Sequence, residues 1–174
     1  MSQLPAILEI GHPTLRKTAQ PVDPLDPALP DLIDRMINSV LEANGMGLAA
    51  PQIGESKRVV IVASRPNARY PHAPDMPLTA LINPKITPLS DEIELGFEGC
   101  LSIPGIRGRV PRHAQIRLSY QQVGSNDWVH VDWSGFLARV AQHEIDHLDG
   151  LLWLDRIEDN REIVSEAQHF AADT

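Results

Sequence analysis

Val140-Ala-Gln-His-Glu-Ile-Asp-His-Leu-Asp-Gly150 predicts a helix from Leu137 to Leu148, closed by Gly150, and states what that helix carries. His143 and His147 are four residues apart, so they share one helical face and can hold one metal ion together. Glu144 directly follows the first histidine and can reach a water on that metal as general base. The bland alternative for this H-E-x-x-H pattern is a helix whose histidines are solvated or satisfied in the core.

Composition sets the frame around this helix. A chain of 174 residues, 43% hydrophobic and 22% charged, fits one globular domain over residues 1–174 with a core that needs no staples. Cys100 is the only cysteine, which rules out an internal disulfide and points to a reducing compartment. The first ten residues lack a basic region, and Pro5 and Glu9 interrupt their apolar run. No signal peptide or membrane span is expected, and bacterial cytoplasm is the expected location. A net charge of -8 argues against direct nucleic-acid readout. Arg107, Arg109 and Arg112 cluster locally and read as ion-pairing residues or a peptide-facing rim.

Strands dominate the middle of the chain. Five prolines between residues 12 and 30 predict extended loop. Asp31 is then expected to cap a helix bearing Leu32, Ile33, Met36, Ile37, Val40 and Leu41, with Gly45 of Asn44-Gly45 as its left-handed stop. Arg58–Ala63 and Thr79–Asn83 read as strands on either side of a proline-rich loop. Ile86–Phe97, Gln115–Tyr120 and Trp128–Trp133 are further strand candidates, and a last helix is expected over Ile157–Phe170. The class is α+β, with mixed or antiparallel strands packed around the central metal-binding helix.

Two histidines leave a catalytic metal short of a ligand. Trp153 stands where the extended metal peptidases carry a third histidine, and indole cannot ligate. Glu166, downstream on the last expected helix, would make a small zinc endopeptidase. Cys100 lies between glycines in Gly96-Phe-Glu-Gly-Cys-Leu-Ser-Ile-Pro-Gly105 and would complete a thiolate–imidazole set with an open position for water. Spacing alone leaves both open, as it does a non-enzymatic structural metal site.

Three motifs in order resemble the peptide deformylase family: Gly45-Met-Gly-Leu-Ala-Ala-Pro-Gln52, Glu98-Gly-Cys-Leu-Ser102 and Gln142-His-Glu-Ile-Asp-His147. Gly11-His-Pro-Thr-Leu-Arg16, Leu81-Ile-Asn-Pro84 and Gly135-Phe-Leu-Ala-Arg-Val140 extend the likeness over nearly the whole chain. The resemblance implies hydrolytic removal of the formyl group from the N-terminal methionine of newly made polypeptides. It implies Cys100, His143 and His147 as ligands of one divalent metal, with iron(II) as the native ion and zinc, nickel or cobalt as substitutes.

Further roles follow from the same resemblance. Glu144 serves as base and then acid, while the Leu101 N–H and the Gln52 side-chain amide steady the oxyanion. Gly45 and Gly47, lacking side chains, let the Met46 backbone pair with the substrate strand-fashion, and Phe136, Arg139 and Val140 line the methionine pocket. Glu98 and Arg112 form a bracing ion pair beside the cysteine. The chain ends about where the family core ends, so docking on the ribosome, which some relatives assign to a longer C-terminal helix, is expected to be weak here.

Overall fold

The computed structural model describes residues 4–171. A 3-10 turn, Pro13–Arg16, interrupts the N-terminal loop. Helix α1 (Leu29–Glu42) begins ahead of the expected cap. Its N-cap is Ala28 and Pro30 lies in the first turn, where a missing N–H has no helical partner to lose; Asp31 sits in that turn as an acid at the positive helix end. At its other end Asn44, not Gly45, adopts the left-handed conformation (φ 53°). Gly45 is needed for space instead, since a Cβ there would come within 3.0 Å of Leu101 and 3.1 Å of Val40.

Strands β1 (Gly47–Ala49), β2 (Val59–Val62) and β3 (Thr79–Pro88) follow, then β4 (Ile93–Cys100) and β5 (Ile103–His113). Next come β6 (Gln115–Gln121), β7 (Trp128–Ser134) and helix α2 (Gly135–Leu148). Strand β8 (Val164–Ser165) and helix α3 (Glu166–Ala171) complete the described residues. An antiparallel five-stranded sheet runs β1-β2-β3-β6-β7, and a three-stranded sheet runs β4-β5-β8. The expected strand Ile86–Phe97 is therefore two strands in different sheets, divided at Leu89–Glu92.

Helices cover both faces of the larger sheet, which explains the uninterrupted apolar run of β2. Val59 and Ile61 face α1 with Leu32, Met36 and Val40, while Val60 and Val62 face α2 with Val140, Ile145 and Leu148. The smaller sheet closes over Ile103, Val110, Leu152 and Trp153. The expected C-terminal helix shrinks to α3. Asp159 caps a separate 3-10 turn at Asn160–Glu162, and β8 pairs with Ile106 and Arg107, so residues 157–165 have partners that a continuous helix would forfeit. Among the described residues no helix is long and apolar enough to cross a membrane.

Candidate metal centre

Helix α2 lies where two sheet edges meet: β1 ends the larger sheet and β4 the smaller. Both sides of the helix are covered, so Gln142, His143, Glu144, Asp146 and His147 are all buried. Buried polar groups of this kind need partners. Gln142 finds them in the His113 backbone, accepting its N–H at 3.0 Å and donating to its carbonyl at 2.9 Å. Asp146 accepts from Arg112 at 2.6 Å and from Arg156 at 2.8 Å.

Cys100 reaches the histidines because β4 ends over α2. A register shift between Glu98 and Cys100 turns the strand there, and Cys100 pairs with Ile103 across a tight reversal. The thiol sulfur and one nitrogen from each of His143 and His147 all lie within 4.8 Å of one another. Cys100 Sγ is 3.3 Å from His147 Nε2. Among the described residues this is the one group of three or more histidine, cysteine or acidic side chains placed to share an ion. A thiolate and two imidazoles suit a borderline divalent metal and leave a position open. The chain's own residues fit a metal: His143 offers its outer nitrogen Nδ1 to Glu98 at 2.8 Å, as ligating histidines do, which frees Nε2 for an ion.

Glu166 stands apart from the cluster. Its carboxylate is 3.5 Å from Arg107 Nε, at the rim of the cleft, so the endopeptidase alternative loses its third ligand. The basic cluster likewise resolves into ion pairs, Arg107 with Glu166, Arg109 with Glu162, and Arg112 with Glu98 and Asp146.

Glu98 gathers three donors. Arg112 grips it as a fork (2.8 and 2.9 Å), Arg139 donates at 3.0 Å, and His143 completes the set. Burial alone would raise the Glu98 pKa, but the bonds from Arg112 and His143 outweigh it and hold the carboxyl well below the usual range. The two imidazoles differ in charge preference. Burial opposes protonation of both, yet contacts with Cys100 and Glu98 lift the His143 pKa well above its ordinary value. At His147 burial and the charges of His143 and Arg112 depress it.

Glu144 has no countercharge of comparable strength. Burial pushes its pKa up to about 7, a value suited to taking and returning a proton near neutrality. Its Oε2 has no hydrogen-bond partner. Opposite it, Gly47 leaves the required space, since a Cβ there would sit 2.6 Å from Glu144 Oε1.

The cleft is lined by Gly45, Met46 and Gly47 on one wall and Phe97 to Leu101 on the other. Gln52, Phe136, Arg139, Val140, His143 and Glu144 also face it. Sequence reasoning missed Tyr70 at the rim; Arg107, one of the arginines read as ion-pairing or as a peptide-facing rim, packs its guanidinium 5.0 Å from the Tyr70 ring there. No motif surrounds Tyr70; its loop returns to Asn44 through Asn67, and its ring packs 5.4 Å from that of Phe136.

The sequence pattern that defines the polypeptide deformylases matches residues 4–162. The chain belongs to the peptide deformylase family. Peptide deformylase 2 of Nostoc sp. is 49% identical over 168 residues, covering 96% of this chain and 93% of that protein. Peptide deformylase 1 of Bordetella pertussis is 51% identical over 156 residues, 88% of each chain. A class I type b peptide deformylase from Acinetobacter baumannii, solved with Met-Ala-Ser bound, superposes with a TM-score of 0.86 at 44% identity, covering 90% of this chain and all of that one. The α+β fold thus follows a deformylase core, and the activity is metal-dependent hydrolysis of N-formyl-methionine peptides.

Proposed function

We propose that Cys100, His143 and His147 hold a single divalent ion, natively iron(II), and that Glu144, Gln52 and Leu101 carry out deformylation around it. The observation that carries this reading is the convergence of one sulfur and two imidazole nitrogens beside an unpartnered buried carboxylate. When bound, the ion supplies a Lewis acid that acidifies water and polarises the formyl carbonyl. Glu144 takes the proton from the attacking water and returns it to the departing methionine nitrogen, so formate leaves and a free amine remains. Negative charge on the formyl oxygen is met by the Leu101 N–H, fixed beside the cysteine, and by Gln52 Nε2.

Substrate positioning uses the two sheet edges. The Met46 carbonyl, expected to face the substrate, already accepts the Ala63 N–H at 2.8 Å, so the alternation of the ladder leaves the Gly47 backbone, one residue on, turned towards the cleft. The substrate main chain pairs along that edge, and the methionine side chain enters among Phe136, Arg139 and Val140. Arg139 contributes only its stem, because its guanidinium is engaged by Glu98 and by the carbonyls of Glu94, Gly96 and Val110. Nascent chains bearing formyl-methionine are the substrates in this reading.

The ligand set is tested by metal analysis of two variants. Cys100→Ser loses the metal and Glu166→Ala keeps it; the reverse pattern would return the endopeptidase. Activity that declines in air and persists with nickel or cobalt supports iron, since a thiolate beside iron is open to oxidation. Activity unchanged over days in air counts against it.

A further inference from the structure

Gln52 and Ser102 come from opposite sheets and meet under the cysteine. Gln52 lies in the 3-10 turn Ala50–Ile53 after β1, and Ser102 in the reversal between β4 and β5. Both are sealed from solvent, at 1% and 0% exposure. The carboxamide is gripped at both ends. The Ala49 N–H donates to Oε1 at 2.8 Å, which dictates that the amide nitrogen faces the cleft. Nε2 then donates to Ser102 Oγ at 3.1 Å and approaches Cys100 Sγ at 3.6 Å. The terminal torsion of a glutamine is soft, so these contacts set the amide plane. With one proton on the serine, the second points to the cysteine side of the cleft.

The two turns are also laced together through the backbone. Leu8 donates its N–H to the Gln52 carbonyl and Ile10 donates its N–H to the Ser102 carbonyl, each at 2.8 Å. Residues two apart in an extended segment present their amides to the same side, so one short N-terminal stretch spans both partners. Ile7 packs in the same apolar cluster as Ile53 and Leu101, which anchors that stretch.

We propose that Ser102 is a positioning residue for the Gln52 amide, and that Leu8 and Ile10 splint the pair across the junction of the sheets. This rests on Gln52 being an oxyanion donor. The hydroxyl is not a catalytic group; it fixes the rotation of the amide that is. Ser102 also touches Cys100, but through its backbone N–H at 3.4 Å, and a Ser102→Ala substitution keeps that contact while removing Oγ.

The test uses cobalt-loaded full-length protein and formyl-Met-Ala-Ser. Ser102→Ala lowers kcat about three- to tenfold, the loss of one ordinary hydrogen bond, with KM unchanged. In a Gln52→Ala background the same substitution costs nothing further. Cobalt affinity, read from the thiolate-to-cobalt absorption band, stays at the parent value. Ile10→Pro deletes the splinting N–H without touching either side chain, and lowers kcat in the same Gln52-dependent way even should Ser102→Ala fail to fold. Unchanged kcat, additive losses or weakened cobalt binding would each overturn the positioning role. If Gln52→Ala itself leaves kcat unchanged, the donor reading falls and takes the positioning role with it. If Gln52→Ala lowers kcat and the losses add, the positioning role alone falls.

Discussion

At the scale of single residues the site depends on one carboxylate that is paired and one that is not. Glu98 is held by Arg112, Arg139 and His143, whereas Glu144 is buried with an orphan oxygen. Glu98→Ala strands Arg112 beside its remaining partner; it should cost about 3–5 kcal/mol in chemical denaturation and weaken metal binding roughly 10–100-fold. Glu144→Gln should keep the metal and lose about 10²–10⁴-fold in kcat. The two carboxyls also give opposite pH signs. The Glu144 pKa is raised from 4.5 to about 7, so its contribution to stability is complete below pH 4.5 and is lost as pH climbs through 7. Permanently neutral Glu144→Gln should therefore stabilise the metal-free protein progressively over that window, by about 3 kcal/mol above it. Denaturation midpoints at pH 5 and pH 8 check this, and an equal gap at both would contradict it. Glu98, depressed, contributes above pH 4.5 and loses its contribution as pH falls. The Cys100–His143–His147 cluster and the buried Glu144 beside it were legible in sequence, because helical spacing and a three-motif resemblance name these residues. Ser102 as the partner of Gln52 was not, since no spacing rule links residues 50 positions apart.

At the scale of elements, α2 and the strand core were readable and the strand ends were not. Strand β2 announces itself as an apolar run covered on both faces. Strand β5 is hidden by Pro104, Gly105, Gly108 and Pro111, which break any alternation, although Gly108 is there to admit Trp153 against the strand. Strand β1 is only three residues long and its sequence reads as a turn. The Ile86–Phe97 reading failed because propensity cannot see that a chain changes sheets at Leu89–Glu92. Glycine in β1 carries a sharper prediction. Gly47→Ala would drive a methyl group onto Glu144 Oε1, so it should fold and bind metal yet lose about a hundredfold in kcat/KM, the usual effect of displacing a reacting group by an ångström.

At the scale of the whole molecule, two sheets contribute one edge each and α2 supplies the floor beneath them. Cys100 belongs to the smaller sheet and both histidines to α2, so an ion here ties those two elements together, while Gln52 reaches the cleft from the end of a strand of the larger sheet. Such an ion binds only the folded chain, and its removal by chelation should lower the melting temperature, with recovery that depends on added cobalt concentration. A melting temperature insensitive to chelator would mean that the strand and the helix are joined without it. The most direct measurement is formate release from formyl-Met-Ala-Ser by freshly prepared anaerobic protein, run beside Glu144→Ala with its metal content matched. The parent should release one formate per free amine formed, and the variant none above background. Equal release by both, or none by a metal-replete parent, would contradict the account.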